Sequence, residues 1–300
     1  MRKLSPLLLL AGLLSLQATS TASTTPALLE ARWLASNLQQ DGVVILDIQE
    51  ETLFQRHHLP GAVNIPFSRW RSDGKAEPPS SLRDIGDYEQ MLSQLGIGND
   101  DHIVITTTGL QPADLSAPAR VFWTLRLLGH EHLSVIDGGL AAYARQRLGP
   151  IAQGRGSPRD PANYKARVDM TLLATAEDVQ STQLRIDARS PEEYLGLRSG
   201  GADERPGTIP GAINLPYSWL TKQAGSGSLL DATRVEALFR KAGVPDRDGA
   251  VHFCHTGHRA SLTWFVDYAV LGNSKARLYD ASMLEWARDD EREIELKWIL

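Results

Sequence analysis

The chain has 300 residues, of which 42% are hydrophobic and 22% charged, and a net charge of -5. That length exceeds one ordinary core and predicts two domains. The composition is that of a soluble globular protein, and the missing basic surplus excludes nucleic acid as a partner.

At the N-terminus, Met1-Arg2-Lys3 is a short basic segment and Leu7 to Leu16 an apolar, leucine-rich run. Ser20-Thr21-Ala22 then offers small residues of the kind a signal peptidase reads. The run is short for a membrane span, and no cysteine follows it for lipid attachment. We expect residues 1–22 to be a cleaved signal peptide, leaving a periplasmic or secreted chain with no membrane attachment. Cys254 is the only cysteine in the sequence, so an intramolecular disulfide is impossible. A lone thiol kept in an oxidising compartment calls for a chemical reason.

Along the rest of the chain the pattern is written twice. Val43 to Asp47 is an apolar strand ending in an acid, and Leu184-Arg185-Ile186-Asp187 repeats it. His58-Leu59-Pro60-Gly61-Ala62-Val63-Asn64-Ile65-Pro66 returns as Thr208-Ile209-Pro210-Gly211-Ala212-Ile213-Asn214-Leu215-Pro216. Thr106-Thr107-Thr108-Gly109 is set opposite Cys254-His255-Thr256-Gly257, and Asp137 to Arg145 opposite Asp280 to Arg288. Ile103 to Ile105 and Val251 to Phe253 read as short strands, each followed by a helical pattern, Ala119 to Leu128 and Ala260 to Leu271. This alternation predicts an α/β protein of two α/β/α domains with mainly parallel sheets. Gly149-Pro150 and the Gly-rich, Pro-ended stretch 153–158 read as a linker. The expected domains are 23–155 and 156–300, facing each other with Cys254 at the floor of the cleft. In this alignment Cys254 faces Thr106 and Arg189 faces Gln49, so the first half lacks both the thiol and a nearby cation.

The segment Phe253-Cys254-His255-Thr256-Gly257-His258-Arg259 runs strand, tight loop, helix. A cysteine at the carboxyl end of a parallel strand lies where open α/β sheets place their sites. The following helix directs its N-terminal amides and positive dipole end at the loop. Gly257 permits a tight anion nest, and His255, His258 and Arg259 are expected to add cationic character. Each effect favours thiolate over thiol. The spacing Cys254 to Arg259 is Cys-x4-Arg, one residue shorter than the Cys-x5-Arg loop of cysteine phosphatases, and a smaller ring suits a single sulfur atom.

On these residues the chain resembles the tandem-domain rhodanese family of thiosulfate and 3-mercaptopyruvate sulfurtransferases. The resemblance rests on Asp187-Ala188-Arg189 with Glu193-Tyr194, on Ile209-Pro210-Gly211-Ala212, and on the six-residue Cys254 loop, and it runs from about Leu28 to Arg288. It implies an inactive first domain and a catalytic Cys254 that takes sulfur from a small anionic donor as a persulfide and passes it to cyanide or a thiol. A periplasmic redox protein is a conceivable partner, and no cofactor or metal is expected. The resemblance also implies that Arg189 binds the donor's anionic end, with His255, Thr256, Gly257, His258 and Arg259 lining the substrate site. Two departures leave the donor open: Thr208 stands where the family commonly has His, and His255-Thr256 follows the cysteine in place of a basic pair or Gly-Ser.

Other readings of the same residues remain at this point. His252, Cys254, His255 and His258 are four potential zinc ligands, although zinc sites usually draw on two separated pairs. Cys254 would also serve a sulfur carrier fed by a protein partner, or, with its spacing against it, a phosphatase or arsenate reductase. Trp33, Trp264 and Phe265 read as core, and Asp289-Asp290-Glu291 as a solvated surface.

Overall fold

The computed structural model describes residues 25–72, 82–156, 158–201, 204–222, 226–244 and 246–298. The expected signal peptide lies outside the described residues. Among those described, no helix is long and apolar enough to cross a membrane.

The first half contains β1 (Leu28–Glu30), α1 (Ala31–Asn37), β2 (Val43–Asp47), α2 (Glu51–Phe54), β3 (Val63–Asn64), α3 (Ile85–Gln94), β4 (His102–Thr106), α4 (Ala113–Leu127), β5 (Leu133–Asp137) and α5 (Gly139–Arg145). The second contains α6 (Ala176–Ser181), β6 (Arg185–Asp187), α7 (Pro191–Leu195), β7 (Ile213–Asn214), α8 (Ala232–Lys241), β8 (Val251–Phe253), α9 (His258–Phe265), β9 (Arg277–Leu278) and α10 (Ser282–Trp286). The strand orders are β1-β5-β4-β2-β3 and β7-β6-β8-β9, and every pairing is parallel. The α/β expectation therefore holds in both halves.

Helices on both faces explain why the strands read as continuous apolar runs. Along β2, Val44 and Leu46 enter one core layer and Ile45 another, and along β4 Ile103 and Ile105 part from Val104 in the same way. The inner layer is shared. It includes Leu46, Phe122 and Trp123 of the first half together with Ile186, Leu262 and Trp264 of the second. Separate outer layers back the two sheets. The inner layer is built where α4 meets α9, with Phe122 packed edge-on against Phe265 at 5.0 Å between ring centroids. Helix α4 starts well before Ala119, and it carries Pro118 in its second turn. Helix α9 stops earlier than its apolar pattern and continues as a wider π turn over Val266–Val270.

After residue 155 the chain stays on the first half. Ala162 and Tyr164 donate to the Ser93 carbonyl and hydroxyl, Arg167 to the Leu128 carbonyl and Asp169 to the Leu127 carbonyl. The crossing comes after Asp169, where the next helical turn, Met170–Leu172, leads to Leu173 beside Leu278.

The repeat extends to the hydrogen bonds. Asp47 ends β2 and accepts from the Gln49 amide and side chain, while Asp187 ends β6 and accepts from the Arg189 amide and guanidinium. Burial raises Asp47 from 3.8 to about 7, because two bonds from neutral Gln49 do not offset its desolvation. This raised value means that Asp47's contribution to stability is full below pH 3.8 and lost as pH climbs through about 7. Gln49→Arg copies the second half's ion pair. It is expected to stabilise the protein more at pH 8 than at pH 4, by about 2 kcal/mol. Thermal melts at both values check this, and an equal shift at the two would contradict it.

Candidate functional site

Cys254 directly follows β8, whose residues 251–253 are fully buried, and is itself only 1% exposed. Strand register corrects the sequence alignment here. Asp47 pairs with Thr106 and Asp187 with Phe253, so Thr106 corresponds to Phe253 and it is Thr107 that stands in the place of Cys254. The flanking bonds agree: Leu140 donates to the Thr107 carbonyl as Met283 does to the Cys254 carbonyl. One residue of slip in a threonine run is invisible to sequence matching.

The loop is organised by a residue that the sequence did not single out. The amides of Cys254 and Gly257 both donate to the Ser282 hydroxyl at 3.1 Å, and that hydroxyl donates to the Tyr279 carbonyl at 2.7 Å. Ser282 has φ +55°, a left-handed conformation unusual for a side-chain-bearing residue. The first half has Gly139, φ +52°, at the matching place. A serine kept where the other copy has glycine was the available signal. Gly257 is also left-handed, at φ +69°, and a Cβ there would fall 2.6 Å from Asp280 Oδ1 and 2.7 Å from Arg120 Nη1. Only glycine fits. Gly257 caps α9, and the first-turn amides at 258–260 have no acceptor within the helix.

Around this loop the cations are paired. Arg259 makes two bonds to Glu193, of 2.6 and 2.8 Å. Burial opposes ionisation of Glu193, but the bonds and charge of Arg259 outweigh it and hold the carboxyl at about 2. Ser190 and Glu193 cap α7 reciprocally, which fixes the carboxylate in position. Arg120 of α4 forms a buried ion pair with Asp280, across the two halves. Arg71, also from the first half, donates from Nη2 to the Thr256 carbonyl at 2.9 Å.

Other expected site residues are placed differently. Arg189 is buried, and its guanidinium is occupied by Asp187 and, at 2.8 Å, by the Gly207 carbonyl. Its Nε and Nη2 thus brace the turn that follows β6. His258 is a neutral wall, not a cation: burial first, then Arg71, Arg120 and Arg259, push it down to about 3. Its Nε2 meets the Ser116 hydroxyl at 3.1 Å and its ring lies 4.7 Å from that of Phe67. His255 is likewise lowered, chiefly by burial, with Nδ1 3.2 Å from Glu204 Oε2. His252 points to α9, bonding Thr263 and Asp267 at 3.0 Å each, which separates it from the loop histidines. Among the described residues no cluster of three or more His, Cys, Asp or Glu side chains could hold a metal.

Two parallel α/β units around a buried thiol loop define a tandem-repeat protein with one thiol site. Residues 30–146 and 172–289 each match the Rhodanese-like domain, and the chain belongs to that family. It is 29% identical over 275 residues to a Mycobacterium bovis protein named "Putative thiosulfate sulfurtransferase 1", covering 86% of this chain and 94% of that one. It is 29% identical over 265 residues to human 3-mercaptopyruvate sulfurtransferase, covering 86% and 84%. The crystal structure of SseA, a 3-mercaptopyruvate sulfurtransferase from Escherichia coli, superposes with a TM-score of 0.71 at 25% identity, over 86% of this chain and 99% of that one. These relatives place the chain among the sulfurtransferases.

Ser282→Ala leaves two buried amides without their acceptor and is expected to cost about 2 kcal/mol. Ser282→Gly loses the same acceptor but relieves the left-handed strain, recovering about 1 kcal/mol. Both should slow alkylation of Cys254 by iodoacetamide to a similar extent, and a wild-type rate in Ser282→Gly would contradict the organising role of the hydroxyl.

Proposed function

We propose that the protein transfers a sulfane sulfur atom from thiosulfate or 3-mercaptopyruvate to cyanide or a thiol, through a persulfide on Cys254. The observation that carries this reading is Cys254 itself. It is a buried thiol at a strand end, in a six-residue loop tied down by Ser282 and surrounded by guanidinium groups. The names of the relatives supply the two candidate donors.

In the first step the Cys254 thiolate attacks the outer sulfur of thiosulfate. A new sulfur–sulfur bond forms as the old one breaks, and sulfite leaves with the electron pair. With mercaptopyruvate the carbon–sulfur bond breaks instead, and the departing enolate takes a proton to become pyruvate. In the second step cyanide or a thiolate attacks the terminal sulfur, and the bonding pair returns to Cys254 as thiolate. Each intermediate carries negative charge on sulfur, which helix-start amides and arginines stabilise without reorganising. Covalent storage splits one transfer into two easier displacements. The basic start and leucine-rich run of the sequence favour a periplasmic or secreted site of action.

Intact mass after incubation with each donor tests the reading. Wild type should gain one sulfur atom, lose it to cyanide, and show no gain as Cys254→Ser. Absence of any adduct with both donors would overturn it.

A further inference from the structure

The two halves of the molecule reach into each other's loops at matching places. With Thr107 in the place of Cys254, Gly109 matches Thr256. The carbonyl of Thr256 accepts from Arg71 of the first half, and the carbonyl of Gly109 accepts from the Gly227 amide of the second, at 3.2 Å. Each donor follows the short 3-10 turn after its own Pro-Gly-Ala segment, Phe67–Trp70 in one half and Tyr217–Leu220 in the other. The exchange is matched in its acceptors and unlike in chemistry. At Gly109 the contact is backbone on backbone, and a Cβ on Gly227 would lie 2.9 Å from Gly109. At Thr256 it is a long, charged side chain.

Counting the charges singles out Arg71. Around Cys254 stand the guanidiniums of Arg71, Arg120, Arg189 and Arg259. Arg120 is matched by Asp280, Arg189 by Asp187 and Arg259 by Glu193. Arg71 makes its hydrogen bond to a neutral carbonyl, and among the described residues no salt bridge joins it to a carboxylate. It is only partly buried, unlike Arg120 and Arg189. Its charge is felt by both Cys254 and His258, so it lies within electrostatic reach of the reacting sulfur.

We propose that Arg71, contributed by the catalytically silent half, is the binding residue for the anionic end of the sulfur donor. It holds a sulfonate or carboxylate beside Cys254 while the outer sulfur faces the thiolate. This inference rests on the persulfide reading above. It moves the role the sequence suggested for Arg189, already committed to Asp187, onto a residue of the other repeat. It also favours small anions as first-step donors, since a guanidinium with one neutral partner retains donors for a planar or tetrahedral oxyanion.

The test is a comparison of Arg71→Gln and Arg71→Lys with wild type, using thiosulfate as the charged sulfur source and a dialkyl trisulfide as an uncharged one whose attack by Cys254 is read as the mixed disulfide or trisulfide formed. With thiosulfate, Arg71→Gln should raise KM about tenfold or more with little change in kcat, and Arg71→Lys should recover part of it. With the uncharged source the three proteins should react alike. Sulfate should protect Cys254 of wild type from iodoacetamide, and protect Arg71→Gln much less. An unchanged thiosulfate KM, or an equal loss with charged and uncharged sources, overturns the role of Arg71 while leaving the persulfide intact. Failure of wild type to form any persulfide overturns both readings.

Discussion

The Arg120–Asp280 ion pair is the constraint on which the site depends. It joins α4 of the first half to the loop that follows β9 in the second, and neither partner is exposed by more than 3%. Removing one member of such a pair strands a buried charge, at a cost of about 3–5 kcal/mol. Arg120 is held from below by the Trp123 ring, 4.5 Å from its guanidinium carbon. Above it, Gly257 must be glycine because the pair fills the space a side chain would need. The cap of α9, the direction of its first amides and the depth of Cys254 all follow from that contact. The two domains therefore do more than sit beside one another. The first half is part of the wall of the second half's site.

This accounts for a repeat that has no thiol of its own yet is bound closely to the other. The place of Cys254 is taken by Thr107, and the loop around it is closed by the opposite half. Gly227 bonds the Gly109 carbonyl, and the Leu229 amide bonds Asp137, the counterpart of Asp280, at 2.7 Å. On the working side the matching positions receive Arg71 and Arg120. Both halves thus clasp each other through equivalent loops, but backbone seals one and guanidinium groups furnish the other. Ser116 and Phe67 complete the furnishing by holding the His258 ring in place.

The sequence made the architecture legible because the repeat is local. Strand, acid, Pro-Gly-Ala turn and loop recur in the same order, so β2 with β6 and β4 with β8 could be matched without any coordinate. Cys254, Gly257 and Arg259 were legible for the same reason: strand, loop and helix start are consecutive. What was not legible comes from elsewhere in the chain or from backbone conformation. Arg71 and Arg120 lie in the other half, and their proximity to Cys254 arises only when α4 packs on α9. Ser282 reads as a serine beginning α10 until its left-handed φ turns the hydroxyl under two loop amides. The pairing of Arg189 was hidden for another reason: an arginine two residues after a buried aspartate folds back onto it, and its neutral counterpart Gln49 does the same with Asp47.

Pairing nearly every cation near Cys254 has a consequence for how the site behaves. Glu193 is held at about 2 and His258 at about 3, so both keep one charge state through the whole range in which proteins are stable. His255 is pushed in the same direction as His258. The charge of the walls is therefore fixed, and no proton needs to move among them when a ligand arrives or departs. A set of unpaired cations would hold an oxyanion product as firmly as the donor and slow its release. Locked ion pairs instead fix the geometry while contributing little net attraction. In the reading proposed above, the loop amides are then left to stabilise sulfur, and Arg71 to draw in the anion.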